Sequence, residues 1–596
     1  MRNSNLTSTK SFKIALAVIG MILLIGSIFA VLWRGIDWPR DYKQEQRISP
    51  DRGEIFDCNG NVIATNKDLY DVHMDCCVVS DQKQWEDKSR KLAQELSVVL
   101  PERTAPQWWD YLQNARQNRR RYIPIVKNVE STMVDSLSKL TLFNEGKYKG
   151  GIIRTCKSAR VYPYGSLARR TIGYGRGEYD EYRFGLECQY NCDLDGDEGV
   201  RTVKHAYRLG KLRRWETDYI APVDGWDIYT TIDMESQALA DSLLRVALAS
   251  NENIVGGCLA LMEVSTGNIR ALANMHRLDE GKIGEYFNYA LDYLYEPGEV
   301  IQTMTLAAAL SDGVIKSADE KIPTNHGRLA SGRFPIDGYI LNYEKRNQVD
   351  SISIRDGFSA SSRYVFSNIA SHYAETPDYY YDWFKSFSLR SYDFDLTGLH
   401  DIMLTDPDSS DLNTLMAMGS GYQMRLSPLH VLSFYNAIAN NGVMVTPKLL
   451  QKMHNKKYGA QYEFRKDTHG QIIRKEVADT LKSLLADCVQ NGTAKRMKAS
   501  HMPFAGKTGT ARQVIEAKDS RDGGGVYRDE DGRSVYASTM VGFYPVDRPQ
   551  YTAMCMLVTK LTMEPMYGGQ LPSQTCKEFV DMFLINERGT ITSINK

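Results

Sequence analysis

An apolar run near the N-terminus constrains the fold of this chain most strongly. Ile14 to Trp33 holds twenty residues without a charge, which is long enough to cross a bilayer as a helix. Arg2, Lys10 and Lys13 precede the run with no acidic residue among them. The positive-inside rule therefore predicts a cytoplasmic N-terminus, a single pass, and an extracytoplasmic location for everything after Arg34. The alternative is a cleaved signal peptide, whose apolar region is usually shorter.

The composition excludes several classes of protein. The 596 residues are 42% hydrophobic and 24% charged, as in folded globular proteins, and the length predicts two or three domains. Lys plus Arg and Asp plus Glu are equal at 73 each, and no basic tract interleaves with aromatic residues. We therefore expect no nucleic-acid partner.

Cysteine and histidine spacing predicts neither a metal site nor a cofactor. Ten cysteines are scattered along the chain, with no paired CxxC motif and no histidine cluster. Cys188 and Cys192 are spaced for a disulfide across one helical turn, and packed free thiols are the alternative. An extracytoplasmic location permits disulfides, but a core of this size does not require them.

Periodicity and turn residues predict the local structure on both sides of a boundary near Asp224. Ile55 to Ala64, with Asn59-Gly60 at its turn, predicts a β-hairpin, and residues 84–100 have the spacing of an amphipathic helix. Beyond the boundary we predict a strand over 228–232, a helix from Met234 to Ala249, strands over 256–262 and 269–275, a mostly helical middle, and strands near 540 and 552. This order predicts an α+β fold.

An ordered series of short motifs runs through the chain. Those before residue 225 are Arg52-Gly53-x-Ile55-x-Asp57-x-Asn59-Gly60, Gly185-Leu186-Glu187 and Leu194-x-Gly196-x-x-Gly199. Those after it are Thr231-Ile232-Asp233, Asn288 with Ala290, Tyr295-Glu296-Pro297-Gly298, Ala439-Asn440-Asn441-Gly442, Gly492-Thr493-Ala494, Gly506-Lys507-Thr508-Gly509-Thr510 and Val541-Gly542-Phe543. In their order and spacing the chain resembles class B penicillin-binding proteins, the membrane-anchored D,D-transpeptidases of cell-wall synthesis, and residues 269–302 resemble division-type members.

The resemblance implies an architecture of three parts. These are a cytoplasmic tail and anchor over residues 1–34, an extended pedestal (dimerisation-like) domain over 35–225, and a transpeptidase-like domain over 226–596. The last would be a penicillin-binding, serine β-lactamase-like domain with an antiparallel sheet flanked by helices. The implied location is a bacterial cell membrane, with the bulk of the chain periplasmic. The implied partners are a polytopic membrane glycosyltransferase and other wall-synthesis or division proteins, with peptidoglycan stem peptide as a further candidate.

Two of the three catalytic motifs of that family are altered in this chain. In the family a Ser-x-x-Lys supplies the nucleophile and a lysine base, a Ser-x-Asn helps to move the proton, and a Lys-Thr-Gly strand docks the substrate. By position the nucleophile falls on Glu299 and the lysine on Gln302. The second motif becomes Ser361-Ser362-Arg363, whereas Lys507-Thr508-Gly509, followed by Thr510, is unchanged.

The replacements do not support acyl transfer. Attack by the Glu299 carboxylate on an amide would give a mixed anhydride, and the carboxylate would leave the adduct more easily than the amine. The neutral amide of Gln302 accepts no proton near pH 7. Ser80-x-x-Lys83 and Ser136-x-x-Lys139 fit the bare pattern, but both lie in the predicted pedestal. We therefore predict that no catalytic residue is competent and that acylation is absent.

Two hypotheses describe the carboxylate of Glu299. Its neighbours by family geometry are the cations Lys507 and Arg363, and a helix N-terminus favours a carboxylate. One hypothesis is therefore a closed ion-pair cluster that fills the former oxyanion site. The alternative is that Glu299 faces solvent and pairs with nothing.

Three functions remain open from the sequence. The first is a non-catalytic homologue that serves as a scaffold or regulator of peptidoglycan synthesis and cell division. The second is an active D,D-transpeptidase whose site is assembled in an unusual way. The third is a binding module that recognises wall peptide through the Lys507 strand without turning it over.

Overall fold

The computed structural model describes residues 13–27, 42–176, 181–182, 184–208, 211–329, 337–405, 411–515 and 526–594. The chain divides into two compact units, one formed by Met1–Asp51 with Gly196–Asp224 and the other by Arg52–Asp195 with Gly225–Lys596. The domain limits predicted after residues 34 and 225 remain predictions.

The first unit contains a helix and a small sheet. Residues 13–27 are helical (α1). Strands β1 (Tyr42–Ile48), β8 (Gly199–Arg208) and β9 (Lys211–Ile220) form a three-stranded sheet in the order β1-β8-β9, with antiparallel pairing throughout.

The predicted membrane span is described only in part. It covers Ile14 to Trp33, and its positions beyond residue 27 lie outside the described residues. Within the described ranges, no helix combines the length and the apolar character that crossing a membrane requires.

The N-terminal part of the second unit mixes short strands and helices. Its helices are α2 (Gln82–Val99), α3 (Ala105–Gln117), α4 (Ser131–Leu137), α5 (Gly146–Lys149), α6 (Arg169–Ile172), α7 (Gly185–Gln189) and α8 (Asn191–Asp195). Its strands are β2 (Ile55–Phe56), β3 (Val62–Met74), β4 (Ile123–Val129), β5 (Ile152–Val161), β6 (Gly175–Arg176) and β7 (Glu181–Tyr182). Trp85, Leu92 and Leu96 of α2 are fully buried in a core shared with β3 and β4.

The predicted hairpin and amphipathic helix are both confirmed. Strands β2 and β3 pair antiparallel, with Ile55 opposite Ala64. The buried carboxylate of Asp57 accepts hydrogen bonds from the backbone of Asn59 at 2.9 Å and of Asn61 at 2.7 Å, which closes the turn. Helix α2 begins two residues before the predicted position because the side chain of Asp81 caps it.

A buried carboxylate connects two of the motifs noted in the sequence. Glu187 is fully buried and accepts hydrogen bonds from Arg52 at 2.7 Å and from Arg160 at 2.7 Å. A buried charge is stable only when it is paired and hydrogen-bonded, and two guanidinium groups provide both. The Arg52 and Glu187 motifs therefore form one structural contact.

The C-terminal part of the second unit is built on a six-stranded sheet. Its helices are α9 (Met234–Ser250), α10 (Tyr289–Asp292), α11 (Gln302–Asp312), α12 (Gly338–Asn347), α13 (Ile354–Ser359), α14 (Arg363–Ser371), α15 (Pro377–Ser386), α16 (Leu412–Met418), α17 (Pro428–Ala439), α18 (Lys475–Gln490) and α19 (Leu571–Ile594). Its strands are β10 (Asp227–Thr230), β11 (Ile254–Glu263), β12 (Ile269–Arg277), β13 (Ile283–Gly284), β14 (Lys321–Pro323), β15 (Ser351–Ser353), β16 (Met403–Leu404), β17 (Met424–Arg425), β18 (Val443–Val445), β19 (Leu450–Asn455), β20 (Ala460–Glu463), β21 (Thr468–Gln471), β22 (Ala505–Gln513), β23 (Val535–Tyr544) and β24 (Tyr551–Thr559).

Helices cover this sheet, whose order is β13-β12-β11-β24-β23-β22 with antiparallel pairing. Helices α9 and α19 pack on each other and on the sheet, and α17, buried along its whole length, packs on β11, β23 and β24. The predicted α+β class, with an antiparallel sheet flanked by helices, is confirmed. Strand β22 lies at the edge of the sheet, so the outward backbone groups of this strand face the neighbouring cleft.

Candidate active site

A cavity of about 950 Å³ lies beside the edge strand β22. Its wall includes five residues that the sequence predicted for the site, namely Glu299, Ser361, Arg363, Thr508 and Thr510. They come from the turn before α11, the loop before α14, and β22 itself. Gln302 and Lys507 are fully buried. The fold thus brings together the three altered or retained motifs that the sequence placed far apart.

Close glycine contacts hold the turn before α11 against β22. Gly298 begins a 3-10 turn that leads directly into α11. A Cβ atom on Gly421 would lie 2.0 Å from the carbonyl oxygen of Gly298, and one on Gly509 would lie 2.6 Å from that of Pro297. Both distances are too short for any side chain. The glycines therefore allow the backbone approach that aims residue 299 at the edge strand.

The carboxylate of Glu299 is bound by groups from two other elements. Its Oε2 accepts a hydrogen bond of 2.7 Å from the backbone N–H of Thr510, and its Oε1 lies 3.9 Å from Nε of Arg363. The side chain is only 13% exposed. Glu299 therefore does not face solvent. Its carboxylate accepts the hydrogen bond from the N–H that β22 presents toward the cleft at Thr510.

Lys507 contacts a serine and not the glutamate. Its Nζ donates a hydrogen bond to Oγ of Ser361 and lies 3.5 Å from the carbonyl oxygen of Thr508. The predicted cluster of Glu299 with both cations is therefore wrong for Lys507. Within the described ranges, Arg363 is the cation that pairs with Glu299. Burial lowers the pKa of Lys507, against the opposing influence of Cys488 and Glu299.

Hydroxyl groups extend the contact between Lys507 and Ser361 along the cavity wall. Oγ of Ser361 lies 3.2 Å from Oγ1 of Thr493, which in turn accepts a hydrogen bond of 2.8 Å from Oγ1 of Thr508. Ser361 has φ of 61°, a left-handed conformation that is strained for a residue with a side chain. Strain of this kind is typical of functional sites, and the strained residue is the one whose hydroxyl contacts Lys507.

Gln302 lacks the polar partners that its environment demands. It is fully buried, and neither its Oε1 nor its Nε2 has a hydrogen-bond partner among the described residues. Each buried unsatisfied polar group costs roughly 1–3 kcal/mol. Burial of the amide at the start of α11 therefore carries a desolvation cost that no hydrogen bond from the described residues offsets.

Arg363 stands at the first position of α14. The preceding Ser362 caps the helix and donates a hydrogen bond of 2.8 Å to Asp337. The Arg363 guanidinium is 56% exposed and lies 5.7 Å from the ring centroid of Tyr422. Burial raises the pKa of Tyr422 to about 12, and the charge of Glu299 acts in the same direction.

Family models match most of this chain. The model described as the penicillin binding protein transpeptidase domain matches residues 257–581, and the one described as the penicillin-binding protein dimerisation domain matches residues 47–230. The chain belongs to the class B penicillin-binding protein family. The resemblance stated from the sequence motifs is confirmed.

Named relatives of this penicillin-binding protein come from several bacteria. Penicillin-binding protein 3 of Bacillus subtilis is 26% identical over 80% of this chain and 71% of its own length. Stage V sporulation protein D of the same species is 23% identical over 92% of this chain and 81% of its own. The probable peptidoglycan D,D-transpeptidase PenA of Neisseria gonorrhoeae is 22% identical over 90% of this chain and 84% of its own length.

Solved structures share the fold. A peptidoglycan synthetase from Bifidobacterium adolescentis superimposes with a TM-score of 0.65 at 18% identity, covering 92% of this chain and 97% of its own. Penicillin-binding protein 2X from Streptococcus thermophilus gives a TM-score of 0.67 at 18% identity, covering 91% and 80%.

Sequence reasoning missed a second buried carboxylate of this family member. Glu296 accepts hydrogen bonds from the hydroxyl of Tyr527 at 2.8 Å and from the backbone of Gln423 at 3.0 Å. Burial raises its pKa to about 6. The motif from Tyr295 to Gly298 marked the position, but no local pattern pointed to Tyr422, Gln423 or Tyr527.

The remaining candidate groups lie away from the cavity. Neither Ser80 with Lys83 nor Ser136 with Lys139 lines it. The hydroxyl of Ser136 instead donates a hydrogen bond to the carbonyl oxygen of Thr132 within α4. Within the described part of the chain, no group of three or more His, Cys, Asp or Glu side chains is placed to hold a metal ion.

The structure corrects both alternatives offered for one pair of cysteines. Cys188 and Cys192 are free and exposed, so they form neither a disulfide nor a pair of packed thiols. Cys188 lies in α7 and Cys192 in α8, two short helices that meet at Tyr190.

Proposed function

We propose that this protein is a non-catalytic penicillin-binding-protein homologue that acts as a scaffold or regulator in peptidoglycan synthesis and cell division. One observation carries the proposal: at the position of the family nucleophile, Glu299 binds the backbone N–H of Thr510 at 2.7 Å. The names of the relatives, which include a peptidoglycan D,D-transpeptidase and a sporulation protein, support a role in the bacterial wall.

The chemistry of the cleft supports the absence of acyl transfer. Residue 299 offers no O–H or S–H for attack, and residue 302 offers a neutral amide in place of a base. The Thr510 N–H, a donor positioned to stabilise a developing oxyanion, is already occupied by the Glu299 carboxylate. Positions 299 and 302 therefore supply neither a nucleophile nor a base, and the Thr510 N–H is not free as an oxyanion donor.

The proposed setting is the bacterial cell membrane, with one N-terminal pass and the bulk of the chain outside. The uncharged run from Ile14 to Trp33 and the cations before it support this topology. The proposed partners are a polytopic membrane glycosyltransferase and other wall-synthesis or division proteins. Pull-down of such a glycosyltransferase by the full-length protein tests this part of the proposal.

Labelling with a fluorescent penicillin tests the loss of acylation. Full-length protein in membranes should give no labelled band, whereas the double variant Glu299→Ser with Gln302→Lys should give one. The single variant Glu299→Ser is the matched control, and it should label far less because Gln302 still provides no base. A labelled band from the natural sequence would contradict the proposal.

The contact between Lys507 and Ser361 favours one second candidate, an active transpeptidase with an unusually assembled site. Serine and lysine form a nucleophile and base pair in some acyl-transfer enzymes, and Ser361 lines the cavity. In its protonated state Lys507 donates a hydrogen bond to this hydroxyl, whereas a base would have to accept the hydroxyl proton. Labelling of the natural sequence that disappears in Ser361→Ala would establish this candidate in place of the first.

A further inference from the structure

Glu299 makes the contacts that a bound carboxylate ligand would make. One oxygen takes the backbone N–H of Thr510 at 2.7 Å and the other faces the Arg363 guanidinium at 3.9 Å. The donors belong to β22 and to the first residue of α14, neither of which is connected to Glu299 along the nearby chain. Such an arrangement is a small anion site that is filled by one of the protein's own side chains.

The charged groups around this site also favour a bound anion. Burial lowers the pKa of the fully buried Lys507, and Cys488 and Glu299 oppose that shift, while burial raises the pKa of the Cys488 thiol to about 11. Cys488 is therefore neutral at pH 7, and Glu299 supplies the negative charge. Without Glu299, the backbone N–H of Thr510 would lose its acceptor and the half-exposed Arg363 would lose its carboxylate partner at the cavity wall, and an unsatisfied N–H beside a cation favours a bound anion.

The size of the removable group defines the ligand. Substitution of Glu299 by alanine deletes one methylene and the carboxylate, which together have the composition of acetate. The cavity of about 950 Å³ gives this space an open path to solvent. A diffusible ligand of that size fits the space that the variant creates.

We propose that the cleft is a carboxylate receptor whose resident ligand is Glu299, and that free acetate takes its place in Glu299→Ala. This proposal rests on the proposed function and adds that the cleft still binds a carboxylate although it does not carry out acyl transfer. In the natural sequence the tethered carboxylate is always at high effective concentration, so acetate at millimolar levels does not displace it.

Thermal unfolding of the full-length protein in detergent tests this, with acetate titrated against chloride at constant ionic strength. For Glu299→Ala we expect a saturable rise in Tm of about 1–3 °C over 1–200 mM acetate, and no such rise for the natural protein or for Glu299→Gln, whose side chain still fills the site. Adding Arg363→Ala should weaken the acetate midpoint by roughly twofold to tenfold.

Glu130→Ala is the matched control, because it removes an exposed carboxylate that pairs with Lys67 and leaves no enclosed space. If Glu299→Ala does not remain folded in chloride, its recovery as folded protein in acetate is the equivalent readout. An equal response to acetate and chloride, or an equal acetate response in Glu130→Ala, would overturn the inference. Such a failure would leave the proposed lack of acylation standing, because penicillin labelling measures that independently.

Discussion

The two walls of the cleft have been changed to different degrees. On the β22 side, Lys507, Ser361 and Thr493 keep a continuous series of hydrogen bonds. On the α11 side stand Glu299 and Gln302, the two positions that the sequence motifs predict for the nucleophile and the base, and their side chains behave differently. Glu299 accepts a hydrogen bond from the backbone of Thr510, whereas the buried amide of Gln302 has no hydrogen-bond partner among the described residues.

The two side chains therefore differ in whether the surrounding structure satisfies their polar atoms. Glu299 joins two elements across the cleft through Thr510 and Arg363, so its side chain is structurally satisfied. Both polar atoms of the Gln302 amide lack a hydrogen-bond partner among the described residues, so this side chain is not structurally satisfied.

Reversing the charge at residue 299 should have the largest effect on stability. Glu299→Lys removes the acceptor for Thr510 and places a third cation beside Lys507 and Arg363, so we expect a loss of about 3–5 kcal/mol. Chemical denaturation of the purified protein measures this value. Glu130→Lys, at an exposed ion pair with Lys67, is the control and should cost less than about 1 kcal/mol. Equal effects at both positions would show that Glu299 is not a structural contact.

Replacement of the uncompensated amide should stabilise the protein. Gln302→Met keeps the shape and removes two unsatisfied polar atoms, so we expect a gain of roughly 1–3 kcal/mol in the same denaturation experiment. The control is Gln237→Met, because the equally buried Gln237 accepts a hydrogen bond of 2.7 Å from the backbone of Leu272 and its loss should destabilise. A loss of stability in Gln302→Met would mean that the Gln302 amide has a hydrogen-bond partner in the folded protein.

The buried acid behind the cleft should make stability depend on pH. Burial raises the pKa of Glu296 from 4.5 to about 6, so the folded state binds the proton more tightly than the unfolded state. Stability should therefore fall as pH rises from about 4.5 to 6 and then level off, by about 2 kcal/mol in total. Glu296→Gln should remove that part of the slope.

A second acid outside the cleft provides the control for this pH window. Burial raises the pKa of Glu285 from 4.5 to about 8, so Glu285→Gln should remove a slope that continues to about pH 8. Unfolding free energies of both variants between pH 4 and 9 distinguish the two groups. If the two substitutions flatten the same pH range, the assignment of the lower window to Glu296 is wrong.

The weakest contact of the α11 side is the ion pair of Glu299 with Arg363. The arginine is 56% exposed and 3.9 Å away, so Arg363→Ala should change stability by less than about 1 kcal/mol. Arg355→Ala is a useful comparison, because Arg355 contacts Asp319 at 2.8 Å and Asp487 at 2.6 Å and should cost more. A larger loss for Arg363→Ala would show that Arg363, and not the backbone of Thr510, holds the carboxylate.

Local sequence patterns predicted the framework of this protein well. Helix α9, expected from Met234 to Ala249, runs one residue further, because Asp233 caps its start and its buried apolar residues recur at helical spacing. The order of motifs likewise brought Glu299, Ser361 and Thr508 to one cavity. Such signals are local or shared by a family, and a single sequence carries them.

Contacts between distant segments could not be predicted in the same way. Spacing alone does not state that Lys507 contacts Ser361 and not Glu299, or that Tyr527 donates to Glu296. Those choices depend on side-chain packing of segments more than a hundred residues apart. The sequence placed the right groups in one cleft but did not establish their pairing.

Intact-mass spectrometry after incubation with benzylpenicillin tests the central claim most directly. The natural protein should keep its unmodified mass, while the Glu299→Ser and Gln302→Lys double variant, treated in parallel, should gain the mass of one penicilloyl group. A penicilloyl adduct on the natural sequence would contradict the account, whichever residue carried it.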